Sequence, residues 1–201
     1  MQLIIASHNL HKIREYRSML KAFGKFDILS LLDFPNYHLP EEVGATFEEI
    51  AIQKALDAAT VLGKWVLSDD SGLVVPALNG APGIFSARFA GIKATDGENR
   101  QKLLKEMAHL QDSERQAYYE CCIAIASPEG LKKCVKGLCE GAIAKSERGR
   151  QGFGYDSIFT KFEYSKTFAE LDEEMKNRIS HRRKAFDKLS LFFEALDPLH
   201  S

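Results

Sequence analysis

Two acidic stretches and one basic stretch contain most of the side chains that could do chemistry. Residues 26 to 53 include six acids and no Lys or Arg, and residues 65 to 87 hold Asp69 and Asp70, again without a base. Carboxylates bind divalent cations and clustered cations attract anions, so this pattern predicts a metal ion and an anionic ligand. Solvated helix faces are the alternative interpretation. The basic stretch, 174 to 188, contains Lys176, Arg178, His181, Arg182, Arg183, Lys184 and Lys188.

A polar loop follows the first apolar segment of the chain. It reads Ser7, His8, Asn9, Leu10, His11 and Lys12. Where a strand leads into a helix, exposed N–H groups and the helix dipole attract phosphate, and Lys12 would add a point charge. Because the spacing is not that of the P-loop, a plain loop is the alternative.

The pair Asp69 and Asp70 comes directly after a short predicted strand, Trp65 to Leu67. The following letters, Ser68-Asp-Asp-Ser-Gly72, are typical of a turn, which would leave both carboxylates at a strand end. Carboxylates there could bind Mg²⁺ or take a proton from water. A polar turn without function fits the same letters.

A glycine-rich segment, Gly152-Phe-Gly-Tyr-Asp156, offers two aromatic rings beside glycines that let the backbone approach a ligand. Such rings are suited to stacking on a nucleotide base. A structural bend is an equally good interpretation of this segment alone.

Alternating strand and helix patterns position these segments and predict one α/β domain on a mixed sheet, with two lobes. Thr46 and Glu49 form a capping-box pattern, Gly63 stops that helix, and Ser180 could cap a separate final helix. The predicted strands are 3–6, 26–32 and 65–67, followed by a hairpin of 115–126 with 131–138. One predicted helix ends near Gly24, and the others span 46–62, 95–109 and 173–196.

The composition is that of an ordinary globular protein, with 201 residues, 45% hydrophobic and 27% charged, and a formal net charge of -1. This charge balance argues against a general nucleic-acid binder. No apolar run approaches the ~18 residues of a membrane span, and the first residues do not match a secretory signal. The four cysteines form no C-x-x-C pair, so we expect reduced thiols in a cytoplasmic protein. They are Cys121, Cys122, Cys134 and Cys139.

The motifs occur in a fixed order along the chain: S-H-N-x-x-K, P-E-E-x-G, T-F-E-E-x-A-x-x-K-A, S-D-D-S-G-L, A-P-G-I-F-S-A-R-F-A-G, G-F-G-Y-D and I-S-H-R. Together they resemble the inosine triphosphate pyrophosphatase family, the XTP/dITP diphosphatases, from Leu3 to about Leu196. The resemblance implies a homodimeric cytoplasmic hydrolase that uses Mg²⁺ to cleave ITP, dITP and XTP into monophosphate and pyrophosphate. It also implies one elongated domain, 1 to 201, with a central mixed sheet and a cleft between two lobes.

The resemblance also assigns roles to residues. Glu41 and Asp70 match metal-binding acids, and Asp70 is also the expected proton acceptor. The loop from Ser7 to Lys12 matches a triphosphate-binding loop, with Asn9 and Lys12 as direct contacts, although His8 replaces the small residue found in many members. The other matched substrate contacts are Lys54, Ser71, Phe153, Gly154, Tyr155, Asp156, Lys176, His181 and Arg182. The sequence does not separate the roles of Glu42 and Asp69.

Two other functions stay open at this point. A pyrophosphatase for pyrimidine or other modified nucleotides would release pyrophosphate from dTTP or UTP. A nucleotide- or RNA-binding module would use the basic stretch, need no acidic site, and bind more weakly as salt rises. The expected partners are a nucleoside triphosphate and a second copy of the chain, with neither nucleic acid nor membrane.

Overall fold

A computed structural model describes residues 1 to 196 of the chain. Within them, six strands form one sheet in the order β2-β1-β3-β4-β5-β6. The strands are β1 (Gln2–Ile5), β2 (Asp27–Ser30), β3 (Trp65–Val74), β4 (Gln116–Ser127), β5 (Gly130–Ile143) and β6 (Phe159–Lys161). The helices are α1 (Leu10–Lys21), α2 (Phe47–Leu62), α3 (Asp96–Glu106), α4 (Glu173–Ile179), α5 (His181–Asp187) and α6 (Ser190–Ala195).

The sheet contains both strand directions. β1 pairs in parallel with β2 and with β3, so that Ile4 lies opposite Leu29 on one side and Val66 on the other. β5 and β6 pair antiparallel. The predicted α/β fold on a mixed sheet is therefore confirmed.

The chain divides into two compact units. Unit 1 comprises Met1–Asp70, Cys121–Gly137 and the chain from Ala185. Unit 2 comprises Ser71–Glu120 and Leu138–Lys184. The prediction of a single domain over 1 to 201 stays a prediction, and its last five residues lie outside the described residues.

The core of unit 1 forms where α1 covers one face of the sheet. Ile13, Tyr16 and Leu20 recur at helical spacing and are at most 2% exposed. They pack with Leu67 of β3 and with Phe193 of α6. Burying an aliphatic side chain such as Ile13 or Leu20 stabilises the fold by roughly 1.5–3 kcal/mol.

Helix α2 buries a stripe made mostly of alanine. The helix begins at Thr46, whose hydroxyl accepts from the amide of Glu49, and ends at Gly63 in the left-handed conformation. The predicted capping box is only half formed, because the Glu49 carboxylate accepts from the amide of Ala45 instead of that of Thr46. The buried positions are Phe47, Ile50, Ala51, Lys54, Ala55, Ala58 and Ala59.

Unit 2 has its own core, in which aromatic rings pack edge to face. The ring centroids of Tyr119 and Phe159 lie 4.7 Å apart, and those of Phe159 and Phe168 lie 5.0 Å apart. Leu73, Leu103 and further apolar residues complete the cluster. This core supports the segment that carries Phe153 to Asp156, because Tyr155 is one of its members.

The predicted turn at Ser68 to Gly72 is wrong. β3 continues through these residues to Val74, with Asp69 and Asp70 inside the strand. Apolar residues on both sides are fully buried, including Leu67 and Leu73, and each carboxylate has a lysine partner that offsets the cost of burial. A sequence typical of a turn therefore forms part of a strand.

Most of the remaining predicted elements agree with the structure to within a few residues, but the helical stretch predicted over 173–196 is divided into α4, α5 and α6. The hairpin is present as β4 and β5, with β5 extending to Ile143. The hydroxyl of Ser180 accepts from the amide of Arg183, so Ser180 caps a separate helix as predicted. That helix, α5, is not the final one, because α6 follows it. None of the helices in the described part of the chain has the length and apolar character needed to cross a membrane.

Candidate active site

Lys54 joins the carboxylates of two segments of unit 1. Its Nζ donates to Asp70 Oδ1 at 3.1 Å and lies 3.5 Å from Glu42 Oε1. The lysine side chain is 7% exposed and that of Asp70 is 13% exposed. Helix α2 supplies the lysine from its buried stripe, and β3 supplies the aspartate.

Asp69 forms a second ion pair with a different lysine. Its Oδ2 lies 2.9 Å from Lys12 Nζ, and the Asp69 side chain is 2% exposed. The Cys121 thiol also donates to this carboxylate at 3.8 Å. Because neighbouring side chains in a strand point to opposite faces, Asp69 lies on the face of Leu67 and α1, while Asp70 points to the other face.

The charges around Asp70 oppose the effect of its burial. Loss of solvent raises the pKa of Asp70 above its ordinary value, although Lys54 and Lys12 pull it down. Burial would lower the pKa of Lys54, but the surrounding carboxylates outweigh burial and raise it. These carboxylates belong to Asp70, Asp69 and Glu42. The site therefore combines a charged lysine with an aspartate that holds a proton more readily than usual.

The predicted phosphate loop leads into α1 as expected, but its asparagine is used as a helix cap. Asn9 Oδ1 accepts from the amides of His11 and Lys12, at 2.9 and 3.3 Å. The amide of Asn9 itself donates to the hydroxyl of Ser7. Leu10 is 55% exposed, and His8 and His11 are also exposed. The loop lies at the surface, with Lys12 held by Asp69.

The two adjacent glutamates differ in what the structure assigns to them. Glu42 contacts Lys54 and thereby joins the group around Asp70. Glu41 is exposed, and its carbonyl accepts from the side-chain amide of Gln53. Metal binding by Glu41 stays a prediction.

The base-contact residues predicted from sequence lie in unit 2, where several of them meet. Lys176 Nζ donates to Asp156 Oδ2 at 2.6 Å and lies 4.6 Å from the centroid of the Phe153 ring. The Asp156 carboxylate also accepts from the amide of Phe153 at 2.9 Å. A buried ion pair thus lies under a half-buried aromatic ring.

The remaining predicted contacts are built into the same unit. Arg182 donates to the hydroxyl of Ser71 at 3.0 Å. The His181 ring stacks on Tyr119, with centroids 4.7 Å apart and planes 10° apart, and His181 is 6% exposed. The Tyr155 hydroxyl donates to the carbonyl of Ser86.

The donor set of unit 1 suits a hard cation. Mg²⁺ takes oxygen ligands and is commonly held by one or two carboxylates together with substrate phosphates. Asp70 and Glu42 supply such oxygens next to Lys54, and Glu41 precedes Glu42 in the chain. Among residues 1 to 196, no three His, Cys, Asp or Glu side chains form a ready metal cage. The residues present therefore fit a cation whose coordination is shared with phosphate.

Comparison with known sequences decides the family. A sequence model of the Ham1 family matches residues 3 to 192. The chain belongs to the Ham1 family. Relatives of this Ham1 chain include the dITP/XTP pyrophosphatase of Protochlamydia amoebophila, 62% identical over 98% of this chain and 99% of that protein. The dITP/XTP pyrophosphatase of Chlamydia abortus is 53% identical over 98% of this chain and 96% of that one.

Solved structures of Ham1 proteins share the fold. The structure of a HAM1 protein from Coxiella burnetii has a TM-score of 0.89 at 40% identity, covering 98% of this chain and 100% of that one. The Staphylococcus aureus Ham1 protein gives a TM-score of 0.86 at 40% identity, covering 96% and 98%. The Ham1 fold therefore extends over nearly the whole chain.

Sequence reasoning left three contributors to these sites without a role. The roles of Asp69 and Glu42 could not be separated from those of their sequence neighbours Asp70 and Glu41, which were the stronger candidates. Tyr119 gives no signal in sequence, since its contact with His181 joins residues 62 positions apart. Lys54 did have a signal of its own, because it lies in an otherwise apolar helical stripe.

Proposed function

We propose that this Ham1 chain hydrolyses dITP, XTP and ITP to the monophosphate and pyrophosphate with Mg²⁺, and so clears non-standard purines from the nucleotide pool. The names of the Protochlamydia and Chlamydia relatives support dITP and XTP as substrates. The observation that carries the proposal is the buried pair of Lys54 and Asp70, 3.1 Å apart, beside the pair of Lys12 and Asp69. The two pairs lie on adjacent residues of one strand and influence each other, because Lys12 lowers the pKa of Asp70 and Asp69 raises that of Lys54.

Two lysines neutralise the substrate's tail. A triphosphate carries about four negative charges, which must be offset before a nucleophile approaches phosphorus. Lys12 and Lys54 supply the positive charge. When substrate binds, its phosphates replace Asp69 and Asp70 in part as the ion-pair partners of these lysines. The N-terminus of α1 adds its dipole.

Asp70 acts as proton acceptor in this proposal. The carboxylate takes a proton from a water molecule as that water attacks the α-phosphorus, and pyrophosphate leaves. The raised pKa of Asp70 brings the carboxylate nearer to the range in which a general base works well at neutral pH. No covalent intermediate is needed, so neither serine nor cysteine acts as nucleophile.

Glu41 and Asp70 are the residues proposed to hold Mg²⁺. When bound, the ion supplies positive charge to the phosphate oxygens. Glu42 is the second candidate, because its carboxylate contacts Lys54.

Unit 2 recognises the base. Hypoxanthine and xanthine present the O6 acceptor beside an N1–H donor, whereas adenine presents an N6 donor beside a bare N1. Donors from Lys176 or Arg182 suit the keto oxygen and meet adenine donor to donor, a mismatch that gives discrimination of ~10⁴. Phe153, beside Lys176, supplies a ring for stacking. Rejection of GTP requires in addition that no acceptor meets the 2-amino group of guanine.

The proposal includes a cytoplasmic homodimer. Two apolar side chains of unit 2 remain open to solvent, Phe85 at 53% and Ile92 at 92% exposure, and they are available to a second copy. A light-scattering mass of about 45 kDa, twice the 22.6 kDa chain, supports the dimer. A mass equal to that of one chain refutes it.

A panel of nucleoside triphosphates tests the function. Phosphate release is measured with added inorganic pyrophosphatase, with and without Mg²⁺, for ITP, dITP, XTP and the common nucleotides. The proposal predicts Mg²⁺-dependent release that is fastest with the first three. Release from dTTP or UTP instead would favour a pyrimidine pyrophosphatase. No release with any nucleotide, together with salt-sensitive RNA binding, would favour a binding module.

A further inference from the structure

Helix α3 holds the peptide of Gly154 from both sides. Asp96, in the first turn of the helix, accepts from the amide of Gly154 at 2.7 Å. Arg100, one turn later, donates through Nη1 to the carbonyl of Gly154 at 2.8 Å. One residue thus has both of its backbone polar groups bonded to charged side chains, four positions apart on one helix.

The Gly154 loop is a turn built on two glycines in a backbone conformation that other residues rarely adopt. Gly152 and Gly154 both have positive φ, 78° and 59°. A Cβ at Gly152 would overlap Asp156 Oδ2, the atom that also accepts from the amide of Phe153. The position of the Phe153 ring therefore depends on how this turn is held.

A second contact fixes Arg100 itself. Its Nε donates to Glu147 Oε2 at 2.9 Å, and the same carboxylate oxygen accepts from the hydroxyl of Ser157 at 2.9 Å. The Arg100 side chain is 19% exposed. Glu147 thereby connects α3 with the residue that follows Asp156, so the helix holds both ends of the Phe153–Asp156 segment.

We propose that Asp96 and Arg100 are positioning residues that fix Phe153 and Asp156 for recognition of the purine base. This inference rests on the proposed function, in which that segment contacts the base. The two residues act through Gly154 and do not touch the reacting phosphates. Their loss weakens base binding and leaves the chemical step intact.

A matched control separates positioning from helix stability. Asp96 lies in the first turn of α3, where an acid also favours the helix dipole. Glu98 lies in the same turn and forms the capping box with Thr95, without a contact to Gly154. Glu98→Ala therefore weakens the helix end alone, whereas Asp96→Ala also removes the acceptor for Gly154. Asp96→Asn keeps an acceptor oxygen and serves as the conservative variant.

The test measures kinetics and amide exchange on the same proteins. We expect Asp96→Ala and Arg100→Met to raise KM for XTP about tenfold, the order set by one charge-assisted hydrogen bond, with kcat within about twofold. Hydrogen exchange of the peptide containing 152 to 158 becomes faster in both variants. Asp96→Asn recovers most of the wild-type KM, and Glu98→Ala has wild-type KM and exchange.

Three results would overturn the inference. They are wild-type KM and exchange in both Asp96→Ala and Arg100→Met, a fall in kcat with KM unchanged, and an equal rise of KM in Glu98→Ala. If the unaltered protein hydrolyses no nucleotide, the proposed function fails. The exchange measurement still decides whether α3 holds the loop, and slow, unchanged exchange in the variants overturns that statement independently.

Discussion

Asp69 and Asp70 are adjacent in β3, yet their carboxylates bind different lysines. Asp69 lies 2.9 Å from Lys12, and Asp70 lies 3.1 Å from Lys54. Strand geometry causes this division, because consecutive side chains point to opposite faces of a sheet. One acid therefore meets the helix that follows β1, and the other meets the helix that precedes β3.

Asp69 should matter for stability as well as for binding. Its side chain is 2% exposed and that of Lys12 is 16% exposed, and breaking a buried pair by removing one partner costs about 3 kcal/mol. We expect Asp69→Asn to lower the free energy of unfolding in urea by this amount. Asp112→Asn is the control, because the pair of Asp112 and Lys145 is exposed. Equal midpoints for the two variants would show that the Asp69 pair contributes nothing.

Lys54 should set the pH at which activity is lost. In the proposed mechanism Asp70 accepts a proton and must be ionised to do so, so we expect kcat/KM to fall as pH drops through the pKa of Asp70. Burial raises this pKa and Lys54 lowers it, so Lys54→Gln raises it further. We therefore expect the acid limb of kcat/KM for dITP to move to higher pH in this variant, measured from pH 4.5 to 8.

Lys21→Gln is the control for this profile, since it removes the same charge at the exposed end of α1. Its acid limb should coincide with that of the wild-type protein. If the acid limb of Lys54→Gln does not move, or moves to lower pH, the loss of activity in acid does not report the ionisation of Asp70.

Arg115 is a buried cation bonded to carbonyls. Its guanidinium donates to Ile143, Met107 and Ala144 at 2.7 to 3.0 Å, and the residue is 4% exposed. A lysine cannot reach three acceptors from one planar group, so we expect Arg115→Lys to lower the free energy of unfolding by about 3 kcal/mol. Activity per folded molecule should be unchanged. The same substitution at the exposed Arg150 should leave the unfolding midpoint in place, and equal stability of both variants would contradict this role.

The cysteines should be nearly inert in the folded protein. All four are free thiols in the structure, and Cys121, Cys122 and Cys139 are at most 1% exposed. Burial raises the pKa of Cys139 to about 11, so about 0.1% of it is thiolate at pH 8, and labelling grows as pH rises. We expect iodoacetamide at pH 8 to label only the half-buried Cys134, with all four labelled after unfolding, as seen by mass spectrometry. Labelling of Cys139 as fast as Cys134 would contradict the burial.

Local patterns predicted most of the secondary structure because the information is local. The apolar spacing of α1, the hairpin of β4 and β5, and the cap at Ser180 all depend on residues a few positions apart. The position of Lys54 in a buried stripe is also readable from spacing alone. The prediction of a turn at Ser68 to Gly72 was wrong because lysines distant in sequence pair with the two carboxylates and allow the strand to continue through them.

Contacts between distant segments account for what sequence reasoning left out. Glu42 gains its place from Lys54, twelve positions away, and Arg100 reaches Gly154 across 54 positions. Nothing in the spacing of α3 indicates a helix that holds a loop. These contacts form only in the folded chain, so local spacing in the sequence could not predict them.

In the proposed mechanism, Asp70 is the residue on which hydrolysis depends most directly. The rate of pyrophosphate release from saturating dITP with Mg²⁺ should fall at least ~100-fold in Asp70→Asn, the lower end for losing a positioned acid or base. Asp27→Asn, at an exposed position bonded to Gln2, should keep the wild-type rate. An Asp70→Asn protein that is folded and releases pyrophosphate within about threefold of the wild-type rate would contradict a proton transfer at this carboxylate.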